Sequence, residues 1–196
     1  MFGDIVSNPK EWKVIKLGEI SSVGSSKRVF VEELVNEGIP FYRGTEIGAL
    51  STGEKIEPTL FITEEHYNKL KESTGIPKIG DLLMSSICPD GRIWCVDTEI
   101  PFYFKDGRVL WIHLENSIID SMFLKHMLRE KFNRDYNKIA SGTTFAELKI
   151  FALKDLGIIL PPIELQNQFA DFVKQVDKLK FEIQNSINII IKVIFM

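Results

Sequence analysis

Cys88, His113 and His126 are the residue types of a thiol nucleophile and its base. Their surroundings argue against that use. His113 alternates with Ile112 and Leu114 in a strand-like run, and His126 lies beside the apolar side of a helix, so structural roles fit better. Asp90 and Glu147, the latter followed by Leu148-Lys149, are carboxylates of the kind that hold Mg²⁺. They are far apart in sequence, and Pro89-Asp90-Gly91 is an ordinary turn. A methyl transferase acting on an amine needs a polar side chain before a Pro-Pro pair and an aromatic after it. Pro161-Pro162 stands between Leu160 and Ile163, so it reads as a stop between a strand and a helix. Cys88 and Cys95 make neither a disulfide framework nor a metal-ligand pair, and a reducing cytoplasm follows as the expected compartment.

A second set of side chains suits binding rather than catalysis. Lys27, Arg28, Arg43 and Arg92 offer point-charge or bidentate donors for phosphate or guanine. Ser85, Ser86, Thr143 and Thr144 are short hydroxyls that reach bases or backbone. Each alone is equally a solvated surface residue. The net charge of −3, from 24 basic and 27 acidic residues, excludes a protein that coats nucleic acid by charge alone. The charge is uneven, however. Between Phe123 and Lys154 stand seven basic residues, Lys138 among them, against three acidic ones.

These residues need elements to position them. With 196 residues, 44% of them hydrophobic, the chain supports one medium domain with a real core. Residues 12–20 read as a short strand entering a helical turn at Leu17. Ile39 to Arg43 reads as a strand with Pro40 at its start or on an edge. Thr63 can cap a short helix running through Leu70. Four strands are expected at 81–85, 92–96, 102–104 and 109–114, then a helix over 118–132, a polar loop at 141–144 and a short strand at 156–160.

From Glu164 onward there is neither Gly nor Pro. Leu165, Phe169, Phe172, Val176, Leu179, Ile183, Ile187, Ile190 and Ile194 fall at steps of mainly three and four, the stripe of one long amphipathic helix. Some thirty helical residues would reach roughly 45 Å. The stripe predicts a partner helix, with folding back onto its own domain as the alternative. The most apolar stretch, Ile187 to Met196, is interrupted by Lys192 and is far shorter than the roughly 20 residues that span a bilayer. Residues 1–16 show no signal-peptide pattern.

The order of certain motifs resembles a known family. Trp12 precedes Leu17-Gly18-Glu19-Ile20; Gly38-Ile39-Pro40-Phe41-Tyr42-Arg43 follows; then Gly80-Asp81-Leu82-Leu83-Met84-Ser85 and Gly91-Arg92. Gly142-Thr143-Thr144 and Leu160-Pro161-Pro162-Ile163-Glu164-Leu165-Gln166 close the series. This set resembles one recognition unit of the DNA-specificity subunits of type I restriction–modification enzymes. The family more often has Glu-Gln where this chain has Leu165-Gln166. Complete subunits resemble two such units in tandem, and this chain shows one, as a natural half-length subunit or a piece of a longer one would.

The resemblance implies an α+β fold: a mixed-sheet target-recognition domain over residues 1–163, then a helical spacer over 164–196 that pairs as a coiled coil. It implies a non-catalytic reader of double-stranded DNA without cofactors of its own, acting in the cytoplasm. The implied partners are a methylation subunit carrying S-adenosylmethionine and a restriction subunit using ATP. The DNA-reading residues would be Lys27, Arg28, Arg43, Ser85, Ser86, Arg92, Lys138, Thr143 and Thr144. Two copies would pair through Leu165, Phe169, Phe172, Val176, Leu179, Ile183, Ile187 and Ile190. The alternative is an assembly protein whose helix pairs but which never touches DNA.

Overall fold

Leu82-Leu83-Met84 is apolar without alternation, as expected of a strand covered on both faces. In a computed structural model, which describes residues 7–115, 118–142 and 146–194, all three side chains are fully buried. They form β5 (Leu82–Ser85), which lies inside a four-stranded antiparallel sheet. Its neighbours are β8 (Val109–Leu114), flanked by β2 (Ser21–Gly24), and β6 (Ile93–Cys95), giving the order β2-β8-β5-β6. Side chains alternate across this sheet. Leu82, Met84, Leu110, Ile112 and Ile93 face one core, while Leu83, Val109 and Trp94 face another.

The first core is closed by α1 (Leu17–Ile20), α4 (Ser121–Ile139) and α5 (Ile150–Asp155). A two-stranded ribbon joins the chain ends of the domain: β1 (Val14–Lys16) pairs antiparallel with β9 (Gly157–Ile159). The second core packs Ile47 of α2 (Gly44–Ser51) against the sheet. A third small core belongs to a mixed sheet, in which β3 (Ile39–Tyr42) lies between antiparallel β4 (Phe61–Ile62) and parallel β7 (Tyr103–Phe104). Over it lies α3 (Glu64–Thr74), capped by Thr63, whose hydroxyl accepts from the His66 amide. The helix runs past Leu70 and stops at Gly75, which has a φ of 76°.

The strands expected at 81–85, 92–96, 102–104 and 109–114 are all present, three of them shortened by one or two residues. α4 continues beyond the expected Phe132 to Ile139, through a non-helical residue at Asp135. The histidines have structural partners. His113 Nδ1 lies 2.8 Å from a carboxylate oxygen of buried Asp81, which also accepts from Trp111 Nε1 at 2.7 Å. His126 packs edge-on against Phe169.

The last helix, α6 (Ile163–Ile194), follows in part the alternative expected of its apolar stripe, folding back onto its own domain. Its first four turns dock on the domain through Gln166, Ala170 and Val173, all buried, and Leu165 and Phe169 pack at the edge of the first core. The stripe faces solvent already at Phe172, beside docked Val173, and onward: Leu179, Ile183, Ile187 and Ile190 are exposed and Val176 is half-buried. At about 100° per residue, the exposed stripe is centred roughly 100° around the helix from the docked face. Among the described residues no helix is long and apolar enough to cross a membrane.

Candidate nucleic-acid interface

Antiparallel pairing brings three polar residues to one end of the central sheet. Ser85 ends β5 and registers with Val109, so Arg108 stands beside it; Met84 registers with Ile93, so Arg92 stands on its other side. The helix α2 starts at this same end. A Cβ on Gly44 would lie 3.0 Å from Ser85 Oγ, and one on Gly48 would lie 3.4 Å from Arg92 Nη1. Those two glycines let α2 lie directly over the sheet end and bring Arg43, the residue before it, to the same place. Gly91 allows a third close approach: its φ is +62°, and a Cβ there would meet Arg129 Cα of α4 at 2.9 Å.

Two loops complete this end. Ser141 and Glu147 pair through both backbone groups, and Leu148 N–H donates to Ser86 O at 2.7 Å, which brings Glu147 beside Arg108. Thr143 and Thr144 lie outside the described residues. On the other flank, Ser25 Oγ donates to Val109 O at 2.6 Å and accepts from Gly107 N–H at 2.9 Å. This holds the Lys27-Arg28 loop along the turn before β8, where Arg28 Nε contacts Asp106 Oδ2 at 3.0 Å.

Ser85 is half-buried, and Lys27, Arg28, Arg43 and Arg92 are exposed around this end. Lys138 is exposed at the exit of α4, paired with Asp135. Ser86 is corrected: it is only 2% exposed and serves as a joint. Its N–H donates to Arg108 O, and its carbonyl accepts from Leu148 and from the Tyr136 hydroxyl. Sequence reasoning did not single out Arg108, which stands at the same end. The signal was present, since Gly107-Arg108 immediately precedes β8 just as Gly91-Arg92 precedes β6.

The arginines here are each held by a carboxylate. Arg92 Nε meets Asp90 at 2.6 Å, and Arg108 Nη1 meets Glu147 at 2.6 Å. Glu147 also accepts from Lys149 at 2.7 Å, which with the nearby Arg108 keeps its carboxyl below the ordinary carboxylate value. Thus Asp90 and Glu147, weighed above as Mg²⁺ ligands, are spent on separate cations. Glu46 is held most firmly. Burial opposes its ionisation, but donors from the Arg43 side chain and backbone outweigh it, leaving the carboxyl at about 2. Cys88 is buried and its thiol is pushed up to about 12, first by burial and then by Asp90, which makes it inert as a nucleophile.

Exposed arginines and a hydroxyl on strand ends and loops offer hydrogen-bond donors that a polyanion bearing acceptors could take. Comparison with known proteins agrees. Residues 9–193 match the family described as type I restriction modification DNA specificity domain. The chain is 30% identical over 169 residues to a Haemophilus influenzae protein named as a type I restriction enzyme specificity subunit, covering 85% of this chain and 40% of that relative. It is 26% identical over 181 residues to the MjaVIII specificity subunit of Methanocaldococcus jannaschii, covering 87% and 40%. The chain therefore spans about two fifths of the length of the curated relatives it matches, 40% in each case. Among solved structures, a type I R-M system complex superposes with a TM-score of 0.64 at 18% identity, over 91% of this chain and 41% of the other. The HsdS subunit from Thermoanaerobacter tengcongensis gives 0.58 at 17%, over 87% and 38%. These two likenesses establish the fold.

Proposed function

Because this chain belongs to the type I restriction modification DNA specificity domain family, we propose that it reads a short sequence in double-stranded DNA and directs catalytic partners to it. The observation that carries this reading is the convergence of Arg43, Ser85, Arg92 and Arg108 at one sheet end, with the Lys27-Arg28 loop and Glu147 beside them. Guanidinium groups at the ends of rigid strands can meet guanine O6 and N7 bidentately, and the loops around them can vary without disturbing the core. Residues 1–163 act as the reader and 164–196 as spacer and pairing element. The partners are a methylation subunit carrying S-adenosylmethionine and a restriction subunit using ATP, in the cytoplasm. Two copies pair through the exposed part of the α6 stripe, from Phe172 onward.

The test is selection from random duplexes by the chain together with its methylation partner. Enrichment of one sequence supports the reading. A stable assembly that enriches none would instead support an assembly protein that does not touch DNA, a reading the exposed stripe alone would also allow.

A further inference from the structure

Arg43 and Glu46 make a fixed pair at the start of α2. Arg43 Nε lies 3.2 Å from Glu46 Oε2 and Nη2 lies 2.7 Å from Oε1, a side-on fork-to-fork contact. Glu46 Oε2 also accepts from the Arg43 amide at 2.8 Å and from Thr45 Oγ1 at 3.0 Å. The glutamate side chain is 16% exposed and the arginine 49%. Glu46 is thus anchored by the helix start, and the guanidinium extends past it toward solvent.

A guanidinium has five N–H donors in a rigid plane. The side-on edge, Nε with one hydrogen of Nη2, is taken by Glu46. The end-on edge, Nη1 with the other hydrogen of Nη2, has no partner among the described residues. That edge carries two parallel donors, which match the O6 and N7 acceptors of guanine. Meanwhile the carboxylate cancels the charge that would otherwise draw Arg43 to any phosphate.

We propose that Glu46 is a specificity-determining positioning residue: it commits the end-on edge of Arg43 to one guanine and withholds the side chain from phosphates. This rests on the DNA-reading function proposed above. A salt bridge on a helix surface would by itself have no bearing on sequence preference, so the test must read preference and salt dependence rather than stability.

The experiment uses the full chain with its methylation partner and a random-sequence duplex library, comparing the parent with Glu46→Gln and Arg43→Lys. Gln keeps the shape and an acceptor for the Arg43 amide but removes the charge. Glu46→Gln is expected to bind the unselected library more tightly at low salt, with log K falling more steeply against log salt by about 0.9, one added phosphate contact. Its enrichment of the selected sequence is expected to fall roughly tenfold, within the worth of one bidentate base contact. Arg43→Lys keeps the charge and loses the fork, so one guanine position is expected to become degenerate while the slope stays as in the parent. If the parent selects a sequence and Glu46→Gln keeps both its slope and its enrichment, the positioning role is overturned and the reading function stands. If the parent itself selects nothing, both fall.

Discussion

Gln166 Oε1 accepts a hydrogen bond from the Asp120 amide at 2.9 Å, tying the first turns of α6 to the start of α4. The same side chain is fully buried and donates from Nε2 to Pro161 O at 2.9 Å and to Ile118 O at 3.1 Å. It is therefore the rivet between the folded domain and α6. Gln166→Leu leaves the Asp120 amide and the Pro161 and Ile118 carbonyls to find new partners, and a buried group left unpaired costs about 1–3 kcal/mol. Urea unfolding is expected to show a loss of about 3 kcal/mol at unchanged slope; a loss below about 1 kcal/mol would show that the rivet is dispensable.

The turn before β6 rests on α4 at Gly91. Replacement by Ala adds strain from a positive φ and drives a Cβ to 2.7 Å from Arg129 Cγ and 2.9 Å from its backbone. We expect Gly91→Ala to lower stability by about 2–4 kcal/mol. Gly53, with a φ of +79° and nothing within 4 Å, is the control for strain alone, and Gly53→Ala is expected to be the milder by at least about 1 kcal/mol. Equal losses would mean that the contact with Arg129 carries no weight.

How far the sequence led is visible in these residues. The strands were legible because turn signals such as Pro89-Asp90-Gly91 and Asp106-Gly107 bound apolar runs of strand length. The helix α2 was not, because Gly44, Gly48 and Ser51 are poor helix formers; it exists because Ile47 is fully buried and the two glycines fit the sheet end. Arg43 and Arg92 were singled out through motifs, and the structure brings both to the same sheet end. Ser86 was misread because a serine beside an exposed turn looks the same in sequence whether its backbone is a joint or its hydroxyl a contact. Glu46 was invisible, since its pairing with Arg43 is a geometry that spans one helix turn. The α6 stripe was legible as a stripe, but its covered beginning was not, because the docked face is set by Gln166, a polar residue.

Arg108 carries the next prediction. If it reads DNA beside Arg43 and Arg92, Arg108→Ala weakens specific binding by about 1–3 kcal/mol, the range of a good bidentate base contact. It also releases Glu147 toward the bound polyanion, so binding to random duplexes should weaken as well. Ser86→Ala should change neither quantity, because the backbone of that residue does the work. Filter binding of the selected duplex decides it: a loss with Ser86→Ala equal to that with Arg108→Ala would misplace the reading surface.

His126 gives the α4–α6 junction a pH dependence. Burial lowers its pKa, and Lys125, Arg129 and Lys180 push the same way while Asp177 opposes them. A base whose folded pKa lies below its unfolded value stabilises the fold fully only above the unfolded value near 6.5, and that stability declines as the pH falls below it. Stability is expected to fall between about pH 7.5 and about pH 5.5. His126→Gln, which cannot titrate, should show a smaller drop over this interval. An identical drop in both proteins would place the acid sensitivity elsewhere.

The exposed end of α6 makes the last prediction. Its docked turns end near Asp177, so 178–194 project roughly 25 Å at 1.5 Å per residue. Two copies pairing antiparallel along that stretch, the commonest closed arrangement being twofold, would set two recognition domains about one overlap length apart. Identical domains related this way read an inverted repeat, with unread base pairs between the half-sites. A chain ending at Lys178 keeps Gln166, Ala170 and Val173 docked and should sediment as a monomer where the intact chain is a dimer at tens of micromolar. Deleting 183–189 removes one heptad and moves Ile190 into the place of Ile183 and Ile194 into that of Ile187, so the pairing stripe survives. The two domains then approach each other by roughly 10 Å in all, about three base pairs. Three base pairs also rotate the duplex by roughly a quarter turn, which the helix pair, rotated by only about 20° per heptad, does not follow. The deletion should therefore select the same half-sites with a shorter spacer, or select nothing because the two readers no longer face the same side of the duplex. Recovery of the parental spacer would show that α6 does not set the distance between half-sites.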